Sequence, residues 1–320
     1  MKLHEYDDVF TELIRATAQQ LRVPEEYVEK DYWVTRALMF LSQSVYAEQV
    51  VFKGGTALSK AYHLVNRFSE DIDLAVCCMG MTGANIKKLL KDAEQATAQG
   101  LTYQANHHRE SKGSQFRKTI HSYPQLNPDA AMGQVSPHLM LEINAFTTPE
   151  PASWMPICSL ITEVLVSQQR HDLIEQYHLG AVQIKVLAVE RTLAEKIMGL
   201  VRACREADPA NALRQKIRHV YDICMILRER DYQAFLVSDK FIEMIKTVIA
   251  ADRFQFKAAS TWLDQPLAEA RLFADPVMYW PALEAAFKGD FADMLYDDDL
   301  PSNQEVVATF TQIGQRLASL

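Results

Sequence analysis

No stretch of the 320-residue sequence approaches the roughly 18 consecutive apolar residues that a membrane-spanning helix needs, so no span is expected. An excess of positive charge is also missing. The 33 basic and 41 acidic side chains leave a formal charge of −8 and a pI near 5.6. That excludes a uniformly basic coat for nucleic acid but leaves room for a local basic patch. Cysteine is scarce and unpatterned. The five residues Cys77, Cys78, Cys158, Cys204 and Cys224 are odd in number and show no CxxC spacing, which argues against a disulfide framework and a zinc ladder. A reduced, cytoplasmic protein is the expectation. The first residues, MKLHEYDDVFTELI, are acidic and amphipathic, unlike a signal peptide. There is no internal repeat and no low-complexity segment. What remains is 48% apolar and 23% charged, the composition of a soluble globular protein. The length suits two ordinary domains, or one domain with a helical extension.

Hydrophobic periodicity divides the chain. Residues 5–20 and 25–43 read as helices. In the second, Pro24 fits a first-turn position and Tyr27, Val34, Leu38 and Leu41 form an apolar stripe. Gln49–Phe52 reads as a short strand ending at Gly54-Gly55, and Thr56–Leu64 as a helix. Asp71–Cys77 reads as a strand with Asp71, Asp73 and Ala75 on one face and Ile72, Leu74 and Val76 on the other. A helix over 84–98, strand and turn over 101–121, and a strand over Pro137–Phe146 follow. The last of these places Glu142 on its polar face. Residues 147–156, with three prolines, read as a loop, and Gln183–Leu187 as a last strand. Beyond Val189 the pattern is helical, over 189–206, 211–230, 240–250, 280–290 and from Asn303. The expected domains are therefore 1–188, an α/β (α+β) core with a small mixed sheet and N-terminal helices, and 189–320, a helical domain completing the active-site cleft.

The chemistry is concentrated in VFKGGTALSKAYHLVNRFSEDIDLAV, residues 51–76. Two carboxylates at i, i+2 on one strand face suit a hard divalent cation, and Mg²⁺ prefers oxygen ligands with positions left for phosphate. Glu142 is the third candidate. Two neighbouring strands would bring Asp71, Asp73 and Glu142 together for phosphoryl or nucleotidyl transfer. Gly54-Gly55 lets the backbone approach a phosphate closely, and Thr56 can add a hydroxyl. A lone DxD is more often a surface pair of carboxylates. The glycine turn, the helix after it and the later acid reverse that balance.

FKGGTALSKAY followed by RFSEDIDLAV resembles the AbiEii-type nucleotidyltransferases, toxins of type IV toxin–antitoxin and abortive-infection systems within the DNA polymerase β-like superfamily. VEKDYWVTRAL (28–38), LMLEINAF (139–146), RTLAEKI (191–197) and RHVYDI (218–223) resemble further family blocks in the family's order. The resemblance covers roughly 25–230. Fourteen residues separate Thr56 from Asp71, a longer spacer than the superfamily's usual one, which a longer helix would absorb.

The helix VERTLAEKIMGLVRACREA places Lys196 beside its apolar stripe. The next helical stretch puts Arg214, Arg218 and Asp222 at i, i+4, i+8. On composition alone that is a solvated face with an Arg218–Asp222 pair contributing about a few tenths of a kcal/mol. The resemblance instead implies that Lys196 and Asp222 belong to the active site, with Lys196 binding the triphosphate and Asp222 orienting the lysine or the attacking hydroxyl. Arg67 reads either as a phosphate contact or as part of a surface loop. Ser69, two residues before Asp71, is expected near the nucleotide, where phosphorylation would oppose triphosphate binding. Glu29, Lys30 and Asp31 read as a buttressing ion-pair network. HHRESKGSQFRK (107–118) and the group Arg202, Arg205, Arg214, Lys216 and Arg218 are two basic clusters that could meet RNA. His107, His108, His121 and His138 form no metal ladder.

The expected function is transfer of NMP from an NTP to an acceptor, with Mg²⁺ or Mn²⁺ on Asp71, Asp73 and Glu142. Gly54, Gly55, Thr56, Arg67, Ser69 and Lys196 would hold the nucleotide. The resemblance implies an RNA acceptor, the 3′ end of tRNA, and a separate antitoxin protein. A non-catalytic nucleotide- or RNA-binding module and a DxD glycosyltransferase are the alternatives.

Overall fold

A computed structural model describes residues 1–69, 71–127, 136–289, 291–297 and 299–320. The chain divides into two compact units: Met1–His63 with Phe68–Leu187, and Leu64–Arg67 with Ala188–Leu320.

In the first unit, α1 (Asp7–Leu21) starts on two acids that suit its N-terminal dipole and stops at Arg22, which turns left-handed at φ 57°. Pro24, extended at ψ 145°, leads into α2 (Glu25–Ser42). The single apolar stripe expected of α2 is too modest a description. It is buried on every side from Tyr27 to Thr35, including Glu29, Lys30 and Asp31, because α1 and the elements that follow pack around it. Next come β1 (Val50–Lys53), α3 (Gly54–Lys60) and β2 (Asp71–Val76). Then come α4 (Gly83–Thr97), capped by the Thr82 hydroxyl, and the short β3 (Thr102–Tyr103) and β4 (Ser111–Lys112). The longer strands β5 (Phe116–Ser122) and β6 (Leu139–Asn144) follow.

The segment 147–156 is not all loop. Strand β7 (Ala152–Ile157) contains Pro156, which is tolerated because β7 lies at an edge of the sheet. Helices α5 (Leu160–Ser167) and α6 (His171–Gln176) lead to β8 (Val182–Leu187). The sheet runs β3-β5-β6-β2-β1-β8-β7, with β4 paired to β5. It is mixed: β2 is parallel to β6 and β1 to β8, while β1–β2, β5–β6 and β7–β8 are antiparallel. Val50, Val51, Phe52, Ile72, Leu74 and Ile143 are fully buried in its centre. The mixed α/β character is what the sequence leads one to expect, but with eight strands the sheet is larger than the small one expected.

The second unit is helical among its described residues. It contains α7 (Val189–Ala203), α8 (Pro209–Arg214), α9 (Ile217–Arg228), α10 (Arg230–Val237) and α11 (Asp239–Phe256). The short α12 (Arg271–Ala274), α13 (Pro276–Tyr279) and α14 (Pro281–Lys288) precede α15 (Asn303–Leu317). The single helix expected over 211–230 is in fact α8 and α9, broken at Gln215-Lys216. Leu64–Arg67 joins this unit through an Asn66 N–H that donates to Tyr221 Oη at 3.3 Å and an isolated bridge between Arg67 and Leu295.

Candidate active site

Strand register builds the acidic face of the first unit. Asp73 lies opposite Lys53 on antiparallel β1 and beside Glu142 on parallel β6, and Asp71 lies beside Met140. Side chains in register on adjacent strands share a face, so Glu142 joins the face that already carries Asp71 and Asp73. Both aspartates are half-buried, while Ile72 and Leu74 between and after them are fully buried.

The glycine turn is fitted to Asp73. Gly54 has φ 82°, a left-handed conformation that glycine adopts without penalty. A Cβ on Gly54 would lie 2.2 Å from Asp73 Oδ2, 3.0 Å from Cγ and 3.1 Å from Cβ. The turn therefore needs glycine for two independent reasons. Gly55 follows as the second residue of α3. Thr56 is 1% exposed. Its hydroxyl donates to the Asp71 carbonyl at 2.6 Å and lies 2.8 Å from Ser69 Oγ. Thr56 and Ser69 thus brace the start of β2 from α3.

Glu142 is paired with Lys118, directly opposite on β5, at 2.6 Å. Lys118 carries no sequence signal beyond its place in the basic run. Two more cations of that run also meet acids, Lys112 at Glu110 and Arg117 at Glu94. Among the described residues no group of three or more His, Cys, Asp and Glu side chains is arranged to hold a metal ion. The donor chemistry of Asp71 and Asp73, hard oxygens at i, i+2 beside a glycine that leaves the Asp73 carboxylate room, fits a divalent cation.

A second cluster lies within the helical unit. Asp222 is fully buried on α9, so it does not belong to a solvated helix face. Arg67 donates to both its oxygens, Nε to Oδ1 at 2.7 Å and Nη2 to Oδ2 at 2.8 Å, and Lys196 Nζ donates to Oδ2 at 2.7 Å. Arg67 is 3% exposed, which overturns the surface-loop reading. Burial alone would raise the Asp222 carboxyl. The charges of Arg67 and Lys196 outweigh it and hold the group well below the ordinary carboxylate range. His219, one turn before Asp222, is pushed well below its usual value by burial and by the positive charges of Lys196 and Lys216. The structure thus joins Lys196 with Asp222, as the resemblance implied, and adds Arg67 from 155 residues away in sequence.

A family model described as nucleotidyl transferase AbiEii toxin, type IV TA system, matches residues 36–309. Among solved structures the chain is similar to MenT4, a nucleotidyltransferase toxin from Mycobacterium tuberculosis H37Rv. The TM-score is 0.59 and the identity 16%, over 95% of this chain and 92% of that one. That likeness is one of fold. No curated protein matches the sequence. The chain belongs to the AbiEii family of nucleotidyltransferase toxins of type IV toxin–antitoxin systems.

Proposed function

We propose that this nucleotidyltransferase moves NMP from an NTP to an RNA acceptor, the 3′ end of tRNA, and so stops translation. The observation that carries the reading is the seat around Asp73: a glycine with no space for a side chain on one side and Glu142 in register on the other. Asp71 and Asp73, with Glu142 beside them, would hold a divalent ion, Mg²⁺ or Mn²⁺, which supplies positive charge to the triphosphate. Gly54 and Gly55 bring backbone close to the phosphates, and Thr56 and Ser69 hold that turn against β2. The acceptor oxygen attacks the α-phosphorus, the new P–O bond forms as the bond to the bridging oxygen breaks, and pyrophosphate leaves. Glu142 is the candidate acceptor of the hydroxyl proton, which requires it to part from Lys118. In the second unit Lys196 is the candidate phosphate-binding cation. Asp222 orients it, and Arg67 holds Asp222.

An RNA partner is supported by the second basic cluster. Arg202 stacks over the Phe256 ring at 4.5 Å, and Arg205 and Arg214 donate to the carbonyls of Pro266 and Ala282. None of these three has a carboxylate partner among the described residues, so their charge is left for a polyanion. An antitoxin protein and a cytoplasmic location belong to the same proposal. No described helix is long and apolar enough to cross a membrane.

The test is label transfer. The protein is incubated with Mg²⁺, each α-labelled NTP in turn and total bacterial RNA, beside an Asp71→Ala, Asp73→Ala control. Label on a tRNA-sized band, lost in the control, is expected. Label on protein instead of RNA would replace the acceptor in this proposal.

A further inference from the structure

Helix α3 has only seven residues, about 10 Å of rise, and both its ends are tied down. At its start, Gly54 abuts Asp73 and the Thr56 hydroxyl holds the Asp71 carbonyl. At its end, Lys60 is 6% exposed and its Nζ lies 2.5 Å from Asp31 Oδ1. The same ammonium donates to the Cys158 carbonyl at 3.1 Å. Asp31, in the middle of α2 and 8% exposed, uses its other oxygen to accept the Leu160 N–H at 2.8 Å. One buried ion pair therefore joins α2, α3 and the first residue of α5.

Such a pair is a poor way to gain stability. Removing both charges from water is costly, and apolar residues of similar volume are often as stable. What the pair provides is direction. Its one short charge contact and two backbone hydrogen bonds fix where α3 ends, and a short rigid helix transmits that placement to its first residue. We propose that Asp31 and Lys60 are positioning residues for nucleotide binding. Through α3 they hold the Gly54-Gly55 turn at the height above Asp71 and Asp73 that the triphosphate needs. The inference rests on the reading of that turn as the seat of the triphosphate.

The test measures kcat, KM for the NTP and the thermal midpoint. It compares wild type, Lys60→Met, and Asp31→Asn combined with Lys60→Met. The single variant strands a buried carboxylate and can fail to fold; the double variant removes both charges and avoids that penalty. The double variant is expected to melt near wild type while its KM rises about tenfold and kcat stays within about twofold, the signature of lost uniform binding. If the double variant melts below wild type, its KM is measured at a temperature below its own thermal midpoint. A folded variant with wild-type KM overturns the inference and leaves nucleotidyl transfer intact. A fall in kcat alone also overturns it. If wild type releases pyrophosphate from no NTP, the reading of the turn fails and this inference falls with it.

Discussion

Gly54→Ala is the sharpest probe of the acidic site. Two costs act together. Holding alanine at φ 82° costs about 1 kcal/mol relative to glycine. The added methyl would sit 2.2 Å from Asp73 Oδ2, and turning the carboxylate aside is no remedy, because Cγ and Cβ are themselves at 3.0 and 3.1 Å. Relief requires the Asp73 side chain to leave its rotamer and β2 to give by a few tenths of an ångström, against the register of Lys53 with Asp73. Overpacking of this kind costs about 1–3 kcal/mol. The total is about 2–4 kcal/mol of stability. A shift of Asp73 by about 1 Å costs roughly 100-fold in rate. The assays are urea unfolding and steady-state label transfer at a temperature where the variant is folded. A double-mutant cycle with Asp73→Gly separates the two costs: the contact vanishes and only the backbone cost remains. The variants should therefore couple by more than about 1 kcal/mol. Additive stabilities, or wild-type kcat/KM in Gly54→Ala, would refute the argument.

Three further outcomes follow from buried charge. Asp222→Asn leaves Arg67 and Lys196 without their carboxylate and should cost about 3–5 kcal/mol at pH 7. Because the folded Asp222 titrates below its unfolded value, its stabilisation is present above about pH 4 and is lost as pH falls further. Acid unfolding of the variant should thus show a weaker pH dependence below pH 4, and an unchanged acid limb would count against the pair. Glu29 behaves oppositely: burial raises its carboxyl to about 7, against a backbone hydrogen bond from Leu126. Ionisation then costs stability as pH rises from 4.5 through 7, so Glu29→Gln should gain a few kcal/mol at pH 8 and nothing at pH 4. A gain equal at both pH values would contradict this. His219 stays neutral in the fold below the pH at which the unfolded residue takes a proton, so stability should fall as pH drops below about 6.5. The effect should disappear in His219→Phe, as followed by chemical unfolding at pH 5 and 7.

The legible parts of the molecule were those that local pattern determines. Alternation placed Asp71 and Asp73 on one face of β2 and Glu142 on the polar face of β6, and parallel pairing then made Asp73 and Glu142 neighbours. The glycine turn was visible as a pair of glycines, but its contact with Asp73 depends on how β1 and β2 pair, and no spacing states that. Arg67 was ambiguous because its partner is 155 residues away. Asp222 looked solvated on composition because its helical neighbours are arginines; only tertiary packing buries it. Three prolines over 147–156 hide strand β7 in the sequence, although a sheet edge accepts the one that lies within it, Pro156. Lys60 and Asp31, 29 positions apart in the numbering, carry no mark in the sequence of being a pair.

The chain passes from one compact unit to the other three times, after His63, after Arg67 and after Leu187, because Leu64–Arg67 belongs with the helices. The molecule therefore cannot be halved by a single cut. A fragment ending at Leu187 keeps Arg67 but not Asp222, and a fragment starting at Ala188 keeps Asp222 and Lys196 but not Arg67. Each fragment would carry an ionic group made for the interior with a partner missing. Replacing the helical segment from Ala188 onward alone would part Arg67 from Asp222.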